Sequence, residues 1–196
     1  MISSLTSDSV VEFLGDDLSL EVRKAGMRDI APLLQLINDY AAKGIMLPRT
    51  EFEMSENIRD FSVIYSGKEL IGCGALHFYS PIMGEIRSLA VDPAWKSHGI
   101  GRRMVETLVS EARLFSLDAV FAFTYVADFF RKMGFQDVER GELPLKAWKD
   151  CLRCPKFQCC DEIAMVQVLR PEHWRDHQGN AQPFDIEGSV LLPIVR

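Results

Sequence analysis

The chain of 196 residues carries a formal net charge of −6, with 47% hydrophobic and 26% charged residues. An acidic balance argues against a protein that binds duplex nucleic acid, because such proteins present a basic surface to the phosphates. No apolar run reaches the roughly 18 residues of a membrane-spanning helix, and the N-terminal residues lack the basic and apolar regions of a signal peptide. We therefore expect a single domain in the cytoplasm, where its five cysteines would stay reduced.

The hydrophobic pattern predicts helices and strands after a polar lead at residues 1–18 that we expect to be flexible. In chain order it predicts a strand at Leu20–Arg23, a helix over 30–44 with Asp29 as its N-cap, a helix at Glu51–Arg59, strands at Phe61–Tyr65 and Glu69–Phe78 joined by a turn at 66–68, a strand at Glu85–Val91, a helix at Arg102–Phe115, a strand at Ala119–Thr124, a helix at Asp128–Met133 and a strand from Phe135. This order predicts an α+β (mixed α/β) domain.

The segment before the helix predicted at Arg102–Phe115 is unusually informative. The strand that ends at Val91 is followed by an Asp-Pro turn and then by a loop with glycines at 99 and 101. The N–H groups at a helix start have no partner within the helix and carry partial positive charge, so they attract phosphates. Glycines there allow a close approach. The pattern favours a pyrophosphate ligand; the alternative is a glycine pair that merely turns the chain.

The longer string LAVDPAWKSHGIGRRMVETLV resembles the acetyl-CoA signature of the GNAT acetyltransferases, Gln/Arg-x-x-Gly-x-Gly/Ala, with Lys96 in the first position. The later DFFRKMGF resembles the second signature of the family, an aromatic pair three residues before Gly-Phe. The resemblance covers residues 20–168 and implies the GNAT fold, a mixed sheet splayed in its middle and flanked by helices. It implies an acetyltransferase domain over 19–170 and a C-terminal extension over 171–196.

The resemblance also implies where acetyl-CoA binds. The pantetheine arm would pair with the strand backbone, the pyrophosphate would lie on the glycine loop, and the aromatic pair would complete the site. Lys96 keeps the charge of an arginine in the signature but not its forked geometry. The implied contacts are Leu89, Ala90, Val91, Lys96, Ser97, His98, Gly99, Ile100, Gly101, Arg102, Phe129 and Phe130.

Acetyl transfer to an amine needs a proton acceptor for the amine. Glu85 is our candidate, because many GNAT enzymes carry a glutamate at this strand position; the alternative is an ion pair between Glu85 and an arginine. Strand alternation predicts one shared face for Glu85, Arg87, Leu89 and Val91.

The reaction also needs a polarised thioester carbonyl and a proton for the leaving thiolate. The backbone N–H of Ala90 or Val91 would polarise the carbonyl. The resemblance implies a tyrosine as the acid, but that position is Phe130, which has no proton to give. Tyr125 or a water molecule is therefore the candidate acid.

The strings PRT, CGALH, EIRSLAV and CxxCPKF resemble the short bacterial N-acetylglutamate synthases. This resemblance implies that glutamate is the acceptor, with glutamine or another amine as the alternative. A dicarboxylate needs two cationic groups in its pocket. Arg49 and Arg87 are the candidates, with Arg59 and Lys146 further out, and each is alternatively an ordinary surface charge.

The cysteines admit two interpretations. Four of them form a Cys-x-x-Cys pair followed by two adjacent cysteines, which resembles half of a zinc site. A complete site needs four suitably spaced ligands. We expect reduced thiols and no required metal, with a structural metal as the alternative, and we expect Cys73 in the core. The four cysteines are Cys151, Cys154, Cys159 and Cys160.

The sequence therefore predicts an amino-acid N-acetyltransferase whose partners are acetyl-CoA and a small amino acid, with no nucleic acid and no membrane. The apolar SVLLPIV near the C-terminus leaves a homodimer open. Two alternatives remain: acetylation of another small amine or a protein N-terminus, and a non-catalytic acetyl-CoA-binding module, which Phe130 would suit.

Overall fold

A computed structural model describes residues 10–14, 18–139, 143, 156 and 159–174. Within these residues a mixed sheet of eight strands is flanked by helices. The strands are β1 (Val10–Leu14), β2 (Leu18–Lys24), β3 (Phe61–Ser66), β4 (Glu69–Ser80), β5 (Met83–Val91), β6 (Ala119–Thr124), β7 (Gln136–Asp137) and β8 (Ile163–Val168), and the helices are α1 (Ile30–Ala41), α2 (Glu51–Asn57), α3 (Ile100–Leu114) and α4 (Ala127–Lys132). No helix in this part of the chain is long and apolar enough to cross a membrane.

The sheet has the strand order β1-β2-β3-β4-β5-β6-β8-β7. The strands from β1 to β5 pair antiparallel with their neighbours. β5 and β6 are parallel, because the chain crosses over through α3 between them. β8 lies between β6 and β7 and is antiparallel to both. The predicted α+β class, with a mixed sheet and flanking helices, is confirmed.

Most predicted elements are confirmed to within a few residues, and β6 has the predicted bounds. Within the lead expected at residues 1–18, the backbone of Val10–Leu14 pairs with β2 as an edge strand. The flexibility of the lead stays a prediction. The helix predicted over 30–44 ends at Ala41. The chain leaves it through a turn to Gly44, whose φ of 68° is a conformation that glycine adopts without strain.

The sheet separates two apolar cores. Neighbouring residues along a strand alternate between them, as Ala75 and Leu76 do. The core on the α3 side includes Met104, Val105, Leu108, Ile64, Leu76 and Ile86. The core on the α1 and α2 side includes Leu33, Ile37, Met54, Val63, Cys73 and Ala75. A third cluster covers β6 on this second face and includes Met83, Ala119 and Phe121.

A β-bulge interrupts β5 at Ser88, which has a φ of 52°. Arg87 pairs with Ala75 and Ala90 pairs with Cys73, so that three steps along β5 match two along β4. The extra residue reverses the faces of the side chains that follow it.

The bulge overturns one prediction. Ile86 lies in the core under α3, so Glu85 and Arg87 point to the opposite face. Leu89 and Val91 nevertheless pack against the α3-side core. The predicted common face for all four residues is therefore wrong beyond Arg87, because that prediction assumed an unbroken strand.

β5 and β6 pair over a short distance. Their ladder runs from Met83–Ala119 to Glu85–Phe121, although the strands themselves continue to Val91 and Thr124. The two strands therefore separate after Glu85, which gives the splayed sheet that the family resemblance implies.

The carboxylate of Asp29 joins β2, β3 and the start of α1. It accepts hydrogen bonds from Arg23 at 2.7 and 2.9 Å, from the Gly26 N–H at 2.7 Å and from the Tyr65 hydroxyl at 2.9 Å. Asp29 therefore does not cap α1 with its side chain as predicted, because its oxygens are directed back to Gly26 and across to the strands. Burial alone would raise the pKa of Asp29, but these hydrogen bonds outweigh burial and lower it to about 2.

We expect Asp29→Asn to lower the free energy of unfolding by about 2 kcal/mol at neutral pH, as follows from a pKa of 3.8 falling to about 2. A carboxyl with a lowered folded-state pKa stabilises the fold above its unfolded pKa, and this contribution disappears as the pH falls through the folded pKa. The difference between the variant and the wild type should therefore shrink between about pH 4 and about pH 2. Urea unfolding across this range measures it.

The exposed Asp39 on α1 provides the control, and Asp39→Asn should change stability by less than about 0.5 kcal/mol. An Asp29→Asn effect of equal size at both ends of the pH range would contradict the role assigned to the carboxylate.

Candidate active site

Four ionisable side chains form a polar cluster where β5 and β6 separate. Glu85 and Arg87 lie on β5, His77 lies on β4, and Asp60 lies in the turn before β3. Nδ1 of His77 is 2.5 Å from Oδ2 of Asp60. Arg87 places one terminal nitrogen 3.8 Å from Asp60 and the other 3.9 Å from Oε2 of Glu85. The cluster is thus a continuous chain of contacts.

The polar cluster lies on the face of the sheet that carries α1 and α2. His77 is directly opposite Glu85 in the β4–β5 ladder, and directly opposite residues share a face. The side chains of Glu85 and Arg87 are each 11% exposed, whereas those of Asp60 and His77 are 24% and 26% exposed. The cluster is therefore largely shielded from water but remains accessible at its His77–Asp60 side.

The thiol of Cys73 lies beneath the bulge. Its Sγ is 3.7 Å from the carbonyl oxygen of Ser88, and the residue is fully buried. Burial raises the pKa of the thiol to about 12, although a backbone hydrogen bond at Ala90 acts in the opposite direction. Cys73 is therefore a neutral packing residue, as the sequence predicts.

The glycine loop, residues 96–101, enters α3 through left-handed backbone conformations. Ser97 has a φ of 64°, and Gly99, the N-cap of α3, has a φ of 79°. A Cβ at Gly99 would meet no atom within 4 Å, so a glycine is needed there for its backbone angle. A Cβ at Gly101 would lie 3.5 Å from Phe129 and 3.6 Å from Val91. The start of α3 therefore meets the end of β5 and α4 at one point.

The basic side chains of the loop and of the first turn of α3 already have contacts. Nζ of Lys96 lies 5.3 Å from the ring centre of Tyr40. Nε of Arg102 lies 2.8 Å from Glu106, and the Arg102 side chain is 69% exposed. Exposed ion pairs contribute at most about 1 kcal/mol, so a phosphate group could replace Glu106 at little cost. His98 bonds to the carbonyl oxygen of Lys96.

The two aromatic residues of α4 have different surroundings. Phe130 is 3% exposed and packs edge-on against Phe129 and Phe135. A ligand contact at Phe130 would require this core to open, because almost none of its surface is accessible. Phe129 is half-buried and lies beside Gly101. Phe130 is therefore a core residue that packs against Phe129 from the interior side.

Tyr125 follows β6 at the end that has separated from β5. Its side chain is partly exposed, and Nζ of Lys156 lies 3.2 Å from its hydroxyl and 4.8 Å from its ring centre. Burial raises the pKa of Tyr125, and the hydrogen bond from Lys156 lowers it by less. The phenol is therefore protonated at neutral pH and has a proton to donate.

Arg49 is fixed through its backbone. The side chain of Asn38 on α1 accepts the Arg49 N–H at 2.9 Å and donates to its carbonyl oxygen at 3.0 Å. Of the predicted substrate cations, Arg87 thus lies in the polar cluster and Arg49 lies in an anchored loop. Arg59 is exposed, and Lys146 lies outside the described residues.

The structure describes two of the four cysteines that the sequence offers as metal ligands. Cys159 is exposed and Cys160 is half-buried, and neither forms a disulfide, whereas Cys151 and Cys154 lie outside the described residues. In the described ranges, no group of three or more His, Cys, Asp or Glu side chains is placed to hold a metal. The structural-metal alternative stays a prediction.

Sequence reasoning missed three residues around the site. They are Asp60 and His77 of the polar cluster and Tyr40, whose hydroxyl donates to the Val91 carbonyl at 2.7 Å. The sequence held a signal for His77, because the short connection at 81–82 between β4 and β5 places it across from β5. Asp60 and Tyr40 reach the site through tertiary packing, which no local pattern reveals.

The chain shares sequence and structure with known acetyltransferases. The model of the acetyltransferase (GNAT) family matches residues 31–135. An uncharacterised N-acetyltransferase of Chlorobaculum tepidum is 40% identical over 148 residues, which are 76% of this chain and 96% of that protein. The amino-acid acetyltransferase of Mycobacterium tuberculosis is 38% identical over 137 residues, 67% of this chain and 77% of that protein.

A solved structure shows the same fold. It is N-acetylglutamate synthase from Neisseria gonorrhoeae complexed with coenzyme A and N-acetyl-glutamate, with a TM-score of 0.70 and 29% sequence identity. The match covers 77% of this chain and 35% of that chain, so this chain corresponds to about a third of the gonococcal enzyme.

A splayed mixed sheet whose central strand leads through a glycine loop into a helix defines a class of acyl-transferring enzymes. The family match covers more than half of this chain, and the sequence relatives agree with it. The chain belongs to the GNAT family of acetyltransferases.

We expect Cys73 to resist alkylation in the folded protein at about pH 8, because the thiolate is the reactive form and the thiol pKa is about 12. The exposed Cys159 should react under the same conditions and serves as an internal control. Mass spectrometry of peptides alkylated with and without urea measures both residues. Equal labelling of the two cysteines in the native protein would contradict the packing beneath the bulge.

Proposed function

We propose that the enzyme transfers the acetyl group of acetyl-CoA to the α-amino group of L-glutamate, the first step of arginine biosynthesis. The observation that carries the proposal is the pair of Glu85 and Arg87, 3.9 Å apart and largely buried beside the separation of β5 and β6. A carboxylate and a guanidinium so placed suit the ammonium and a carboxylate of one amino acid.

Two relatives support this choice of substrate. The protein of Mycobacterium tuberculosis bears the name amino-acid acetyltransferase, and the gonococcal structure contains coenzyme A and N-acetyl-glutamate. The proposal includes a cytoplasmic location, small-molecule partners only, and a homodimer as the form to test.

The described residues fit acetyl-CoA. Its pantetheine arm would pair with the backbone of Leu89–Val91 where β5 no longer pairs with β6. Its pyrophosphate would lie on loop 96–101, where the helix N-terminus and the basic side chains favour an anion. When bound, acetyl-CoA supplies an acetyl group activated as a thioester. The N–H of Ala90 or Val91 would polarise the thioester carbonyl.

Glu85 is the proposed proton acceptor. Its carboxylate takes a proton from the substrate ammonium, directly or through one water molecule, and leaves an amine with a free lone pair. Its location at the last paired position of β5 places it where the strand backbone becomes available to the donor. The neighbouring Arg87 would bind one substrate carboxylate and keep Glu85 oriented.

Tyr125 is the proposed acid. Its phenol is protonated at neutral pH, since burial raises its pKa. It would pass this proton to the departing sulfur, and the ammonium of Lys156, 3.2 Å from the hydroxyl, would stabilise the phenolate that results. Tyr125 would thus replace the acidic tyrosine that the resemblance implies at the position of Phe130.

Arg49 is the proposed second cation for the substrate. Glutamate carries two carboxylates and would use Arg49 and Arg87, whereas glutamine carries one and would leave one arginine unmatched. The ratio of activity on these two amino acids therefore reports on the second arginine. Arg49→Gln should reduce this ratio while leaving the fold intact.

The first experiment measures free CoA release from acetyl-CoA against a panel of amino acids and peptides. Glutamate should be the best acceptor, and Glu85→Gln should lower kcat roughly 10²- to 10⁴-fold, as is typical when a general base is removed. Glu69→Gln is the control, because Glu69 is an exposed glutamate on β4 near the hairpin turn.

The other outcomes of this experiment are distinct. A preference for glutamine, another amine or a peptide would keep the reaction and replace the substrate. Tight acetyl-CoA binding without turnover on any amine would contradict the proposed function and favour the binding module.

A second experiment tests the loop. Gly99→Ala should weaken CoA binding about tenfold, because alanine disfavours the φ of 79° and the loop would relax away from the phosphate position. Gly67→Ala is a matched control, since Gly67 also has a positive φ, of 58°, and open space around it. Both variants should lose similar stability. Equal CoA affinity in the two variants would contradict the assignment of the loop.

A further inference from the structure

We propose that His77, held by Asp60, is a second proton acceptor of the active site and returns Glu85 to its charged form in each catalytic cycle. The inference rests on the proposed function. It assigns His77 a role in the reaction and makes Asp60 a positioning residue for its ring.

The contact between the two side chains determines which nitrogen is available. Oδ2 of Asp60 lies 2.5 Å from Nδ1 of His77. A carboxylate can only accept a hydrogen bond, so Nδ1 carries a hydrogen, and in the neutral imidazole Nε2 keeps a lone pair. Among the residues that the structure describes, Nε2 has no hydrogen-bond partner, and the side chain is 26% exposed. His77 therefore presents a basic nitrogen at the accessible side of the polar cluster.

His77 is positioned to accept a proton from Glu85. The two residues are directly opposite in the β4–β5 ladder, where Cβ atoms are about 5 Å apart. Among the described residues, Asp60 from the turn after α2 contacts the imidazole, Glu85 lies opposite it on β5, and the ring of Tyr79 from β4 packs edge-on at 5.0 Å. Arg87 from β5 contacts both carboxylates. The two carboxylates, of Asp60 and Glu85, would stabilise a proton on the imidazole.

The proton transfers balance without any further reactant. An N–H bond of the substrate ammonium breaks as an O–H bond forms on Glu85. That O–H bond then breaks as an N–H bond forms at Nε2 of His77, and the imidazolium releases the proton to solvent. An imidazole nitrogen is ordinarily a stronger base than a carboxylate oxygen, so the second transfer is favourable. Glu85 is thereby a carboxylate again before the next ammonium arrives.

The pH dependence of kcat/KM for glutamate, measured between about pH 5 and about pH 9, tests the proposal, because histidine is the side chain that ordinarily titrates within this range. The wild type should show a limb that rises through this range. His77→Gln should lose the limb and lower kcat/KM by about 10²-fold. Asp60→Asn should lower kcat with little change in KM and keep the limb, because the imidazole remains but its orientation is no longer fixed.

Chemical rescue separates a proton acceptor from a residue that only packs. His77→Ala should regain activity in a saturable manner when imidazole is added, whereas a structural role would give no rescue. His173→Gln is the control, because His173 is an exposed histidine that pairs with Asp118, outside the polar cluster. An unchanged affinity for CoA in every variant shows that the fold is intact.

The results that would overturn the proposal are of two kinds. A His77→Gln enzyme with the wild-type pH profile, or no rescue of His77→Ala, would contradict this role and leave the acetyltransferase function standing. A wild-type protein that acetylates no amine would contradict the proposed function and this role with it.

Discussion

The geometry of the site depends on how briefly β5 pairs with β6. Their parallel ladder ends at Glu85 and Phe121, and the strands then separate. The bulge at Ser88 follows within three residues and redirects Leu89 and Val91 toward the α3-side core. Because of these two irregularities, a charged pair remains on one face while the backbone beyond it becomes available to an extended ligand.

The two ends of the site differ in their electrostatics. Glu85 and Arg87 are largely buried between apolar clusters, where charges interact more strongly than in water. At the glycine loop, by contrast, the charge of Arg102 is exposed and screened by solvent. The buried end suits selection between small, similarly charged molecules. The exposed end would suit the reversible capture of the pyrophosphate that is proposed to bind there.

The sequence predicted the fold well because its local signals agree. The apolar stripe of α3, the turn at Gly67 and the continuous apolar run of β6 each have one consistent interpretation, and glycine spacing identified the helix start. It failed where tertiary contacts overrule a local pattern. The bulge at Ser88 broke the assumed alternation, Asp29 bonded to strands rather than to the helix it precedes, and β1 pairs with the edge of β2 although its own sequence gave no clear strand pattern. Asp60 likewise enters the site through the packing of α2, which no spacing encodes.

Helix α1 contacts the site at more than one place. The hydroxyl of Tyr40 bonds to the carbonyl oxygen of Val91 at the end of β5, and its ring lies beneath the ammonium of Lys96 in the glycine loop. Two residues earlier, Asn38 holds the backbone of Arg49. One rigid helix therefore contacts both the glycine loop and the loop that carries Arg49, the two loops proposed to bind acetyl-CoA and the amino acid. If either ligand shifts that helix, the energetic effect on the other is reciprocal by thermodynamic linkage, so each molecule alters the affinity for its partner by the same factor.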